Sequence, residues 1–381
     1  MEGQTIRNPL RILHVMDKLS VDGSKIHGPG RQIAYRVPLY DPDRYQVKVC
    51  ALRGEDPGAD FLRKQGIPTT CLGRGKFDLR AIGDLIRMID DWQPDILHLH
   101  GYAAWTIGRI AGRAKGRRIV VQEHFTEDRV PVYQHLADWC LGAWHARAIA
   151  VSDHVADFMR KTRHVRGSEI DVIWNGVPVD ALRRMAEHQD RGCRETLGLP
   201  AAAKVVGIVG RLAAMKGHRY FLEAAARLLA DHPECHFVIV GDGPLRGELE
   251  AMADVLRIKA NVRFVGHQAD ILPFLGIFDV AVIASVFGEG FATVGIEALA
   301  CRVPLVITDL EVFASIYRNE ENVLTVPRAD PDALARAIAR LLDEPGLSQR
   351  LLDGAAALLD ECRIETVADR YLAVYDDMAR D

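Results

Sequence analysis

Residues Phe287 to Asp309 read FGEGFATVGIEALACRVPLVITD, and the fold follows from this stretch. Glu289 sits in a loop between Gly288 and Gly290, a helical pattern follows, and Val303 to Thr308 is an apolar strand. Glu297 lies eight positions after Glu289, a little over two helical turns, so a loop carboxylate and a helix carboxylate can project toward one cleft. Phe291, Ala292 and Thr293 fall between them at a helix N-terminus, where free backbone N–H groups and the helix dipole hold an anion. Carboxylates suit sugar and ribose hydroxyls, and the amides suit phosphate. The competing reading is two glutamates on an ordinary surface helix.

Outward from this stretch, strand and helix patterns alternate through both halves of a 381-residue chain, which predicts an α/β protein of two domains. Hydrophobic content of 49% and charged content of 26% are those of a globular protein, and a net charge of −4 argues against general nucleic-acid binding. Residues 1–180 carry 26 Lys and Arg against 22 Asp and Glu; the remainder carries 22 against 30. The more basic first half suits an anionic acceptor or a membrane surface, although such charges also simply solvate a surface. The seven cysteines are scattered without a C-x-x-C pair, the pattern of buried thiols in a reducing, cytoplasmic setting. Neither a signal peptide nor an apolar run long enough to span a bilayer is expected.

In the first half, the strand Arg11 to Met16 runs into a loop from Asp22-Gly23 to Gly28-Pro29-Gly30, with a helix expected from about Arg31. Strand, glycine loop and helix together make a phosphate cradle. The strand Asp95 to His100 places His98 and His100 on one face, and Glu123-His124 ends the strand from Arg118. Carboxyl ends of strands are where doubly wound sheets bind ligands. The alternative for His124 is a histidine bonded within its own loop. Metal ligation by His98 and His100 is disfavoured, because Cys, Asp and Glu at metal spacing are missing nearby. In the second half, the strand Lys204 to Val209 leads to Arg211, Lys216 and a helix from His218. Two cations beside a helix start can hold a diphosphate without metal, the alternative being a solvated loop. Gly241-Asp242-Gly243-Pro244 reads as a tight turn, and so does Asp41-Pro42-Asp43 despite its D-x-D spacing.

These motifs in this order resemble the family 4 glycosyltransferases, retaining enzymes of the GT-B fold. The resemblance rests on His98 to Gly101, Asn175 to Val177, Gly210 to Gly217, Gly241 to Pro244, Val262 to Gly266 and Glu289 to Cys301, spread over nearly the whole chain. It implies two Rossmann-like domains facing an interdomain cleft. They would be an acceptor-side domain at 1–180 and a nucleotide-sugar-binding domain at 204–362, with a linker at 181–203 and a helix at 363–381 crossing back. It implies that Arg211 and Lys216 hold the diphosphate, that Glu297 contacts the ribose, and that Glu289 and Gly290 meet the donor sugar. The amides from Phe291 through Ala292 and Thr293 to Val294 would lie near phosphate and sugar, and Gly266 and His267 near the base. His124 would approach the transferred sugar, and Gly30 the diphosphate. The donor would be a nucleotide sugar, most often a UDP-sugar, with no metal or other cofactor. The acceptor would be a glycan or lipid-linked glycan, and the chain would work in the cytoplasm with peripheral membrane contact through the first domain. After Asp309 the chain departs from the family pattern, carrying Glu311, Val312, Ala314 and Ser315 where two glycines and P-E are usual. Another GT-B enzyme, such as a sugar-nucleotide epimerase or a phosphorylase, and a non-catalytic sugar-nucleotide binder remain alternatives.

Overall fold

The computed structural model describes residues 9–20, 26–127, 130–166, 170–187 and 191–380. These form two compact units: the described residues through Gly176 with those from Ile364 onward, and Val177–Arg363.

The first unit is a seven-stranded parallel sheet. Its strands are β1 (Leu10–Met16), β2 (Tyr45–Ala51), β3 (Thr69–Cys71), β4 (Ile96–His100), β5 (Arg118–Glu123), β6 (Arg147–Ala150) and β7 (Ile170–Val172). They lie in the order β3-β2-β1-β4-β5-β6-β7. Near-continuous apolar runs such as ILHVM and RIVV suit strands covered on both faces. One face packs under the helix Ile364–Arg380, whose Val367, Tyr371, Tyr375 and Met378 join Ile12, Ile96 and Val120 in a core. The chain's last helix thus belongs to this unit. Tyr45 Oη donates to Asp376 at 2.7 Å, and Arg44 pairs with the same carboxylate.

One local expectation changes and one is met. The helix read from Arg31 begins at Gly28, because His27 caps it, accepting from the Gly30 N–H at 3.3 Å. Pro29 is tolerated in that first turn because it has no N–H to satisfy. Asp22 and Gly23 lie outside the described residues. Asp41-Pro42-Asp43 is a turn, with the Asp43 N–H donating to Asp41 Oδ1 at 3.0 Å.

The second unit is a six-stranded parallel sheet. It contains β8 (Lys204–Val209), β9 (Cys235–Val240), β10 (Val262–Gly266), β11 (Val280–Ile283), β12 (Leu305–Thr308) and β13 (Leu324–Val326), in the order β10-β9-β8-β11-β12-β13. Phe221, Phe237, Leu249 and Ile338 are among its buried core. The stretch read as a linker holds the helices Val179–Glu187 and Arg191–Thr196 within this unit. Arg194 ties the second of them to the sheet through the carbonyls of Ala203 and Ile277.

Candidate functional site

Strands β8 and β11 are neighbours at the centre of the second sheet, where the strand order reverses. The loops leaving their carboxyl ends diverge there and open a crevice. The Val286 N–H donates to the Met215 carbonyl at 2.8 Å, which ties the two loops together. Gly217 has φ of 66°, and a Cβ there would sit 1.9 Å from the Ala284 carbonyl oxygen, so only glycine fits. Gly241 has φ of 142°, and its Cβ would lie 2.0 Å from the Gly210 oxygen. The turn after β9 is therefore more than a plain turn, since it abuts the loop carrying Arg211.

This interlock brings Lys216 Nζ to 2.5 Å from Glu289 Oε1. Ser285 Oγ donates to the same oxygen at 2.5 Å, and the Ser285 carbonyl accepts from Thr308 Oγ1 at 2.6 Å. Glu289 is only 7% exposed. The sequence separates these groups into a phosphate cation and a sugar carboxylate; the structure shows them as one ion pair. The helix Thr293–Ala300 starts immediately afterwards, with Ala292 left-handed at φ 54° as its cap. A β-branched side chain would be strained there, which accounts for a small residue. Gly290 and Phe291 are buried beneath the loop, Thr293 and Val294 are half-buried in the first turn, and Glu297 is buried one turn on.

Arg211 is exposed on the same loop as Lys216. Gly266, at φ 73°, ends β10 and His267 is exposed next to it, two strands from β8 at the same edge of the sheet. Two residues of this site escaped sequence reading. His218 lines the cleft beside Lys216, 2% exposed, with neither ring nitrogen partnered. Burial, then the Lys216 charge, lowers its pKa to about 3, so it is a neutral imidazole. Its position directly after Lys216-Gly217 was the available signal. Tyr317 donates to the Ala292 carbonyl at 3.2 Å and holds that cap in place; nothing in its sequence context marks it.

In the first unit, parallel register and side-chain alternation place five groups on one sheet face. His14 of β1 stands opposite His98 of β4, and His100 stands opposite Gln122 of β5, two residues before His124. His14 Nδ1 is 2.8 Å from His100 Nε2, and His100 Nδ1 is 2.9 Å from His124 Nε2. His98 Nδ1 bonds Tyr375 Oη at 2.7 Å, and Gln122 Nε2 donates to Tyr371 Oη at 2.5 Å. His14, His98 and His100 crowd their nitrogens together, the arrangement of a metal cluster. Their contacts are those of hydrogen bonds, however. Two histidines on one tetrahedral zinc hold their nitrogens about 3.3 Å apart, wider than the His14 to His100 contact. Gly30 is buried in the first turn of its helix, and its N–H is taken by His27.

Glu123 lies beside this face, 3% exposed, accepting from the His124 N–H at 3.1 Å. Burial raises its carboxyl from the ordinary 4.5 to about 7, against the opposing pull of Arg163. The folded chain therefore binds this proton more tightly than the unfolded one. The associated stability is fully present below the ordinary carboxyl pKa and is lost as pH rises through about 7. The loss is on the order of 3 kcal/mol. Buried histidines with lowered pKa act in the opposite sense over the same window, so the Glu123 contribution is read as a difference: Tm is expected to rise more steeply, or fall less, with pH in Glu123→Gln than in the wild type. An unchanged slope in that variant would remove this contribution.

Comparison with known proteins bears on both units. The family described as Glycosyltransferase Family 4 matches residues 31–181, and Glycosyl transferases group 1 matches residues 193–357. An Escherichia coli UDP-Gal:alpha-D-GlcNAc-diphosphoundecaprenol alpha-1,3-galactosyltransferase is 25% identical over 330 residues, 84% of this chain and 85% of its own length. A phosphatidyl-myo-inositol mannosyltransferase of Mycobacterium leprae is 28% identical over 77% of this chain and 76% of its own. A glycosyltransferase structure from Rickettsia africae superposes with a TM-score of 0.82 at 17% identity, covering 98% of this chain and 99% of that one. Anabaena HepE in complex with UDP gives 0.80 at 18% identity, with 97% and 100% covered. The two parallel sheets are those of the GT-B fold, and the family matches together cover most of the chain, leaving out β1 and the helix Ile364–Arg380. The chain belongs to the family 4 glycosyltransferases, with a group 1 domain as its second half.

Proposed function

We propose that the protein moves a sugar from a nucleotide diphosphate sugar, a UDP-sugar by preference, to an acceptor hydroxyl, with retention of configuration and without a metal. The observation that carries this reading is the Lys216–Glu289 pair, set beside the start of the helix Thr293–Ala300 at the point where the strand order reverses. As the anomeric C–O bond breaks, negative charge grows on the leaving diphosphate. Lys216, Arg211 and the amides of Ala292, Thr293 and Val294 supply the compensating charge and donors. Glu289 orients the sugar hydroxyls with Gly290 and Phe291 packed behind it, Glu297 takes the ribose, and Gly266 and His267 border the base. The acceptor oxygen attacks from the face the diphosphate leaves, and its proton passes to the departing phosphate oxygen. For His124 and Gly30 the support is the resemblance of their motifs. Gly30 would offer close approach of backbone, since its N–H is already bonded.

The E. coli and M. leprae relatives carry names with lipid-linked acceptors, and one surface of the first unit suits such a partner. The helix Val132–Leu141 exposes Val132, Tyr133, Leu136 and Trp139, and Arg166 lies over the Trp139 ring at 5.9 Å. Aromatic and aliphatic side chains beside cations favour the interface of an anionic bilayer. Among the described residues, no helix is long and apolar enough to cross a membrane. We propose the cytoplasmic face of a membrane as its place of work, on the strength of that exposed surface and of the lipid-linked acceptors in these relatives' names.

A thermal-shift and calorimetric screen of UDP, GDP, ADP and their sugars, with and without EDTA, tests the donor site. UDP at a hundred times its Kd is expected to add about 2.7 kcal/mol of stability, unchanged by EDTA. Stabilisation by no nucleotide would leave the chain a degenerate member, and dependence on divalent metal would overturn the metal-free reading. Co-sedimentation with anionic vesicles, expected to fall in Trp139→Ser, tests the membrane surface.

A further inference from the structure

Three imidazoles of the first unit form a continuous hydrogen-bonded chain, His14 to His100 to His124. Its ring planes differ by 23° and 24°, and the centroids are 5.1 and 5.2 Å apart, so the rings meet edge to edge with their nitrogens in line. His98 stacks against both inner rings, at 4.8 and 4.4 Å, and is itself held by Tyr375. Each end of the chain leaves one buried nitrogen without a partner, His14 Nε2 and His124 Nδ1.

A neutral chain of this kind has only two consistent proton arrangements. In one, His14 Nδ1–H donates to His100 Nε2 and His100 Nδ1–H donates to His124 Nε2, so His124 carries its proton on Nδ1. In the other, every proton sits on Nε2 and every donation runs the opposite way. The inner end decides between them. Either arrangement leaves one unpartnered N–H, on His14 Nε2 or on His124 Nδ1; His14 is fully buried whereas His124 is only half-buried at the strand end, so the N–H is less costly at His124. Unpaired buried N–H groups are rarer than unpaired acceptors. Arg36 is also buried near this end, with its guanidinium over the Tyr371 ring at 3.7 Å, and a fixed positive charge favours a lone pair over an N–H. Among charged groups it is the leading influence on His14. The other groups facing the chain do not reverse this order. Tyr371 and Tyr375 are hydroxyls engaged with Gln122 and His98. Glu123 meets the backbone of His124 rather than its ring, and His27 acts on His124 as a second nearby imidazole. Converting one arrangement to the other would need a proton delivered to the sealed nitrogen of His14, so the chain holds a setting rather than conducting.

We infer that His14 and His100 are positioning residues that fix His124 as a neutral imidazole protonated on Nδ1, so that it serves the transferred sugar as a hydrogen-bond donor and not as a base. The functional half rests on the proposed placement of His124 beside the sugar. Neutrality agrees with burial, which lowers the His124 pKa to about 3.

Long-range proton–nitrogen NMR of the full chain carrying nitrogen-labelled histidine reads the tautomer directly, with His124 assigned by its loss in His124→Ala. The expected wild-type result at neutral pH is a protonated Nδ1 and a bare Nε2. A bare Nδ1, or protons on both nitrogens, overturns the inference. His14→Leu removes the donor at the sealed end and is expected to return His124 toward a mixture of tautomers. UDP release from UDP-glucose, or nucleotide release from whichever donor the screen selects, should then fall about tenfold, the worth of one orienting hydrogen bond. His14→Asn restores an N–H near the place of Nδ1 and should recover both readouts; a purely space-filling role would predict the reverse ranking of Leu and Asn. A His14→Leu protein with wild-type tautomer and turnover overturns the chain. Wild-type turnover in His124→Ala, with the tautomer as stated, overturns instead the contact between His124 and the sugar.

Discussion

Lys216→Ala is expected to lower turnover by about 10²- to 10³-fold while the chain still folds, the loss typical of removing one charge-stabilising group from a transition state. Lys216 is one of two cations on the loop after β8, and it is held at 2.5 Å by Glu289, so its position does not depend on the donor. Glu289→Gln keeps the shape and the bond from Ser285 but removes the charge that holds Lys216; a loss of similar size is expected. Because the two act as a unit, the double variant should lose little more than either single one. Single-turnover kinetics and thermal unfolding of the three variants check this. Wild-type rates in either single variant, or fully additive losses in the double, would remove the shared role.

Ending the chain after Arg363 is expected to abolish cooperative folding of the first unit. The deleted helix buries Val367, Tyr371, Tyr375 and Met378 against the sheet. At about 1.5–3 kcal/mol for each large side chain the loss is on the order of 10 kcal/mol, comparable with the whole stability of a domain. His98 and Gln122 would also lose the hydroxyls of Tyr375 and Tyr371. Calorimetry should show the first unit's transition lost and that of Val177–Arg363 retained. Two transitions at wild-type temperatures would contradict this account.

Much of the second unit's site was legible because glycines and charges punctuate strand ends. Gly217 and Gly241 are required by close backbone approach, and they flag the loops that carry Lys216 and Arg211. The pairing of Lys216 with Glu289 was not legible, since it depends on β8 and β11 lying side by side although 70 or so residues separate them. The same holds for His14. His98 and His100 are visible as neighbours on one strand, but the third ring joins only through the β1–β4 register. The start of the helix at Gly28 was hidden because His27, rather than the Ser, Thr, Asp or Asn that usually mark a cap, accepts the N–H. The atypical stretch after Asp309 keeps its fold by other means: Val312 and Phe313 are buried, and the Arg328 N–H donates to Asp309 Oδ1.

The last helix also sets an order of assembly. During synthesis the first unit's sheet emerges first, but the helix that covers one of its faces is made only after the whole of the second unit. The second unit is continuous in sequence and can complete its core earlier. Folding is therefore inverted relative to translation. Until the helix Ile364–Arg380 is made, the nascent chain carries an open apolar face bearing His14 and His98, a surface for chaperones to shield.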